Sequence, residues 1–170
     1  MEILISDTNI LIDLCGVGLI ERCKDLDVDF RTVDFVIHEI KDPNQAEAVQ
    51  KLIDSGDLTV MEFSPEETME LLELYARYEV RTNLSLTDCA VLLCAKKGNY
   101  RLLTGDKNLR IKAGDEGVVV SGILYLTDLM VDEGVVDCKE MADCLETLLQ
   151  QNSRLPKDLI YDRINTYRQQ

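Results

Sequence analysis

Short apolar runs alternating with amphipathic stretches constrain this 170-residue chain more than any other feature. Ile3 to Ser6, Phe30 to Val33, Leu58 to Met61, Arg101 to Thr104 and Val118 to Val120 are too short for helices and too apolar for surface strands. Runs of this kind read as strands buried on both faces. Between them lie segments with helical spacing. Asp7 opens one carrying Ile10, Leu11, Leu14 and Cys15, ending near Gly16 or Gly18. Asp34 opens another through Ile40, Pro43-Asn44 breaks the pattern, and Ala46 to Ile53 resumes it until Ser55-Gly56. Ser64-Pro65-Glu66-Glu67 has a serine N-cap, a first-turn proline and a capping-box glutamate, and starts a helix to about Tyr78. Further helices are predicted from Ser85 to Lys97-Gly98, Asn108 to Ala113, Ile123 to Val131, Lys139 to Gln151 and Lys157 to Tyr167. Strands alternating with helices predict an α/β fold, a parallel sheet of about five strands covered on both faces. The strand-free end reads as a helical appendage, giving domains at residues 1–135 and 136–170.

Such sheets collect function at the carboxyl ends of their strands. Two acids stand there, Asp7 after the first apolar run and Asp106 after Thr104-Gly105, and two more, Glu39 and Asp88, lie near the starts of helices. Each has an ordinary explanation. Asp7 serves as an N-cap, Ser85-x-x-Asp88 is a capping box, Asp106 is a turn or cap residue, and Glu39 is a helix-surface glutamate. If the four converge, they repel one another until a divalent cation arrives. Thr8, Asn9 and Thr104, beside Asp7 and Asp106, could orient those two carboxylates or hold a metal-bound water.

Asp7-Thr8-Asn9-Ile10-Leu11-Ile12, Phe35-Val36-Ile37-His38-Glu39-Ile40, Leu86-Thr87-Asp88-Cys89-Ala90-Val91-Leu92 and Leu102-Leu103-Thr104-Gly105-Asp106-Lys107-Asn108-Leu109 together resemble the PIN-domain nuclease family over roughly residues 1–125. Residues 117–124 and the helical tail are similar to a prokaryotic PIN subgroup. The resemblance implies a three-layer α/β/α sandwich and an endoribonuclease dependent on Mg²⁺ or Mn²⁺. It also implies a possible role as the toxin of a toxin–antitoxin pair, with an antitoxin protein as partner. It places the family's carboxylates on Asp7, Glu39, Asp88 and Asp106, the polar residue after the first aspartate on Asn9, and the strand-end threonine on Thr104. Asp7, Asp88 and Asp106 are then the metal ligands, with Glu39 in an outer or second-metal position. Many compact toxins of the family are neutral or basic, whereas this chain is strongly acidic and long-tailed.

A net charge of −14 argues against a simple basic nucleic-acid binder but leaves room for a local basic rim. Lys107 and Arg110 are the nearest candidates for gripping RNA, with Arg77, Arg81 and Lys112 further out. No tryptophan is present to stack bases. Cysteines within apolar segments, no opening signal-like segment and no CxxC motif suggest a cytoplasmic protein with reduced thiols and no membrane span. His38 reads as a surface residue, and Cys89 lacks a histidine partner for nucleophilic work. The chain has neither the Asp-x-Asp of dehalogenase-like phosphatases nor a Gly-Lys-Ser phosphate loop. A non-catalytic PIN-like scaffold is the alternative to an enzyme. The apolar tail could pack on its own domain, on a second copy in a homodimer, or on an antitoxin helix.

Overall fold

A computed structural model describes all 170 residues. Five strands, β1 (Glu2–Ser6), β2 (Val28–Val33), β3 (Thr59–Met61), β4 (Arg101–Leu103) and β5 (Val120–Ser121), form one sheet in the order β3-β2-β1-β4-β5. Every pairing is parallel. The central strand β1 is buried at Leu4, Ile5 and Ser6, the covering on both faces that its unbroken apolar run requires. Helices flank both faces of the sheet, giving an α/β/α sandwich with a C-terminal helical hairpin.

The helices are α1 (Thr8–Gly16), α2 (Asp34–Glu39), α3 (Pro43–Ser55), α4 (Pro65–Thr82), α5 (Leu86–Gly98), α6 (Lys107–Asp115), α7 (Ile123–Asp132), α8 (Cys138–Gln151) and α9 (Lys157–Gln169), with a 3-10 turn at Ile20–Asp25. α5 lies against β1, β2 and β4 on one side and α4 on the other. That double cover explains why Cys89 to Ala95 are all buried and why this helix has little polar face. Both predicted capping boxes are present, Ser64 with Glu67 and Ser85 with Asp88.

Local chemistry moves several boundaries. Pro43 does not break a helix but begins α3, because Asp42 caps it by accepting from the N–H groups of Asn44 and Gln45. Asp34 is the first residue of α2 rather than its cap, which is Val33. α5 stops at Asn99 in the left-handed region, and Gly98 is its last helical residue, where a Cβ would run into the Tyr100 ring. β5 is shifted toward Ser121 because the Val118 N–H closes the turn after α6 on Ala113 O.

The tail packs on the body. Met141, Leu145, Leu148, Leu155, Ile160, Ile164 and Tyr167 are buried, and the Tyr167 hydroxyl and Arg163 guanidinium both engage Asp128 of α7. All six cysteines are free, and no helix is long and apolar enough to cross a membrane.

Candidate active site

Strand order reverses at β1, so the carboxyl ends of β1 and β4 open a crevice between neighbouring crossovers. The Asp7 N–H donates to Leu103 O (2.9 Å), which places Asp7 level with Thr104 at the lip of that crevice. Asp7 is the N-cap of α1 and only 3% exposed. Its Oδ1 accepts from the Thr8 N–H (2.7 Å) and its Oδ2 from the Thr104 hydroxyl (2.8 Å).

Thr104 is fully buried and serves as a junction. Besides donating to Asp7, its Oγ1 accepts from the Asp106 N–H (3.1 Å), and its carbonyl accepts from Arg110 Nη1 (3.1 Å). Asp106 caps α6 through Oδ1, which accepts from the Leu109 N–H (2.8 Å). Asp88 Oδ2 accepts from the Ser85 N–H (2.8 Å) in the α5 capping box. Glu39, the last residue of α2, accepts from the Thr8 hydroxyl (2.7 Å), which ties α2 to the start of α1.

The ordinary cap readings of Asp7, Asp88 and Asp106 are thus all realised. They do not compete with a joint role, because each cap uses one carboxylate oxygen. Asp88 Oδ1 and Asp106 Oδ2 accept no protein hydrogen bond. Burial pushes the Asp7 carboxyl up to about 6, with Asp88 and Glu39 adding repulsion and the Thr104 and Thr8 donors opposing it. The Asp88 carboxyl is raised as well, first by burial, then by Asp106 and Glu39. Four carboxylates therefore share one field.

The donor set is entirely oxygen, and burial raises the carboxyls of Asp7 and Asp88, which is the chemistry that suits Mg²⁺ or Mn²⁺. No three His, Cys, Asp or Glu side chains are close enough to enclose an ion as placed. Asp7, Asp88 and Asp106 are each engaged in a helix cap, so gathering them around a cation requires side-chain rotation.

Asn9 is exposed and hydrogen-bonds to none of the four acids; the orienting hydroxyls are those of Thr8 and Thr104. Asn9, Asp106 and Lys107 line a cleft of about 470 Å³. Arg110 is tied back to the end of β4 through Thr104 O. Arg81 and Lys112 line a separate groove of about 440 Å³. His38 is exposed, and burial pushes the Cys89 thiol up to about 11, out of reach as a nucleophile. The sequence reading missed the Thr8–Glu39 link, for which a serine or threonine beside the first aspartate was the available signal.

Replacing Thr104 by valine removes the donor to Asp7 Oδ2. A hydrogen bond to a charged group is worth about 1.5–3 kcal/mol, so the Asp7 titration should move up by about 1–2 pH units. Carboxyl ¹³C NMR titration of the metal-free protein checks this; an unmoved midpoint means the hydroxyl does not hold the carboxylate.

A five-stranded parallel sheet in the order β3-β2-β1-β4-β5, with acids at the carboxyl ends of β1 and β4, defines a class of α/β/α proteins. Within that class, the sequence matches the family described as DUF3368: PIN domain over residues 3–169, and the chain belongs to it. Two solved structures share the fold. VapBC2 from Rickettsia felis, crystallised bound to a DNA fragment from their promoter, is 19% identical with a TM-score of 0.50, covering 71% of this chain and 98% of that one. PAE2754 from Pyrobaculum aerophilum is 19% identical with a TM-score of 0.51, covering 80% and 98%. No curated protein matches.

Proposed function

We propose that the protein is a metal-dependent endoribonuclease that hydrolyses RNA phosphodiester bonds. The observation that carries this reading is Asp7: a buried carboxylate at the sheet's switch point, held by two donors, in the field of Asp88 and Glu39. Nothing in packing calls for a buried acid there, and charge of this kind is costly unless it is used. Asp7, Asp88 and Asp106 would hold Mg²⁺ or Mn²⁺, with Glu39 at the edge of the group. When bound, the ion supplies positive charge for the phosphate and acidifies a water molecule. Thr104 and Thr8 fix the orientation of Asp7 and Glu39, and the caps of α1, α5 and α6 fix the backbones that carry the acids.

Membership of a PIN family and the fold shared with VapBC2 support a narrower role as a toxin with an antitoxin protein as partner. Most of the tail's apolar residues are buried, while Leu159 and Tyr161 of α9 remain exposed. A cytoplasmic location and a homodimer belong to the same reading. We also propose residues 136–170 as an extension packed on a nuclease domain of residues 1–135. The solved neighbours match over nearly their whole length while leaving a fifth or more of this chain unmatched, as an addition of this kind would produce. A non-catalytic PIN-like scaffold is the second reading, favoured by one observation: no three acids are already gathered at ligand spacing.

The test compares wild type, Asp7→Asn and Asp88→Asn on labelled single-stranded RNA in Mg²⁺, Mn²⁺ and EDTA. Wild type should cut only with metal. Both variants should lose more than about a hundredfold in rate, beyond the 10–100-fold usual for residues that merely support a ligand. Wild-type silence in every metal would leave the scaffold.

A further inference from the structure

The cleft beside the acids has a wall from the far end of the chain. Asn9 and the Gly105–Lys107 segment line it on the site side, and Gln151, Asn152, Arg154 and Leu155, from the turn joining α8 to α9, line it from the tail. This turn is not loose. Asn152 Nδ2 donates to both oxygens of Asp13 in α1 (3.1 and 3.2 Å), and its Oδ1 accepts from the Arg154 N–H (3.0 Å). Gln151 Nε2 donates to Gly16 O at the end of the same helix (3.1 Å), and Leu155 is buried. Asp13 itself is only 9% exposed. The backbone at Arg154 is therefore fixed relative to α1, whose first turn carries the site.

In a chain of net charge −14, nine of the 18 basic side chains are drawn into ion pairs with neighbouring acids. Lys96, Lys97, Arg101, Arg163 and Arg168 all make ion pairs. Lys107 and Arg154 make none, although both line a cleft that also holds Asp13 and Asp106. Asp13 is taken up by Asn152, and Asp106 gives one oxygen to the Leu109 N–H. Two cations left unpaired in one cleft, next to a carboxylate group suited to a metal ion, fit a polyanion that reaches past the reacting phosphate. The cleft has no aromatic lining, which favours backbone phosphates over stacked bases.

We infer that the α8–α9 turn completes the substrate cleft, with Arg154 and Lys107 gripping a neighbouring phosphate of single-stranded RNA and Asn152 acting as the residue that positions Arg154 through Asp13. This rests on the nuclease reading for the identity of the polyanion. It assigns the tail a direct part in substrate binding.

The test uses the full chain with Arg154→Ala, Arg154→Lys and Asn152→Ala. A short labelled RNA is titrated by fluorescence anisotropy in Ca²⁺ at several salt concentrations, and cleavage is followed in Mn²⁺. Loss of Arg154 should weaken binding about tenfold, lower the slope of log affinity against log salt by about 1, and raise KM while kcat stays within about twofold. Lysine should restore most of the binding. Asn152→Ala should show part of the same KM effect with the arginine intact; it also takes the partner from the buried Asp13, so the melting temperature falls while the transition stays cooperative. Arg154→Ala with wild-type affinity and salt slope overturns the inference, as does a wild type that binds no RNA. Arg154-dependent binding without cleavage in any metal sinks the nuclease reading and keeps the cleft. Cleavage indifferent to Arg154 does the reverse.

Discussion

Asp7→Asn should stabilise the metal-free protein above pH 6 while removing the nuclease activity proposed for it. Burial, aided by Asp88 and Glu39, holds the Asp7 carboxyl at about 6 in the fold, against about 3.9 in an unfolded chain. A raised carboxyl contributes stability that is fully present below the unfolded value, falls as pH rises through the interval and is gone above the folded value. A gap of about two pH units corresponds to about 3 kcal/mol, so the ionised carboxylate opposes folding by roughly that amount at pH 7.5. Asparagine carries no charge, keeps an acceptor for the Thr8 N–H and rearranges its bond to Thr104. A net gain of about 1–2 kcal/mol is expected after that rearrangement. Urea melts in EDTA at pH 4.5, 6 and 7.5 should show the variant and wild type converging at the low end and separating as pH rises. In saturating Mn²⁺ the order should reverse, because only wild type gains binding free energy, about 2.7 kcal/mol at a hundredfold excess over Kd. An asparagine variant less stable than wild type at pH 7.5 without metal would mean the carboxylate is not under strain, and the case for a cation site would lose its main support.

The same residue shows why the sequence was legible in some places and opaque in others. Asp7 and Asp106 were visible because a charged side chain after a buried run has few roles. Their caps were visible too, as was the Ser85–Asp88 box, since these motifs act within three residues. Local pattern could not say whether capping and clustering exclude each other. The answer lies in atoms: a carboxylate has two oxygens, and each cap takes one. Pro43 was misread because a proline both stops one helix and starts another, and only Asp42 as its cap decides which. Thr8 was preferred to Asn9 by the direction of the first helical turn, which sends the hydroxyl toward Glu39. The contacts of Asn152 and Gln151 with α1 span about 135–139 positions and follow no spacing rule, so the cleft wall was invisible until the tail was placed.

Deleting residues 136–170 tests how far that tail is an appendage. The boundary after residue 135 falls where the strands cease, and the helices beyond it pack on the body. α8 lies on α1 and α7, and Asp128 of α7 holds both Arg163 and Tyr167 of α9. Removal strips Met141, Leu145 and Leu148 from the core, takes from Asp13 its partner Asn152, and uncovers the surfaces of α1 and α7 on which α8 lies. A single buried Leu→Ala change costs about 2–5 kcal/mol, against a total margin of about 5–15 kcal/mol for a typical domain. Several such contacts vanish together, so the 1–135 fragment should be insoluble or lack near-ultraviolet circular dichroism and a cooperative urea transition. Leu145→Ala in the full chain is the milder companion, expected to lower stability by about 2–5 kcal/mol with Arg154 still in place. A 1–135 fragment that melts cooperatively within a few degrees of the whole protein would make the tail a detachable attachment. The fragment's RNA affinity would then report the cleft wall free of any folding defect.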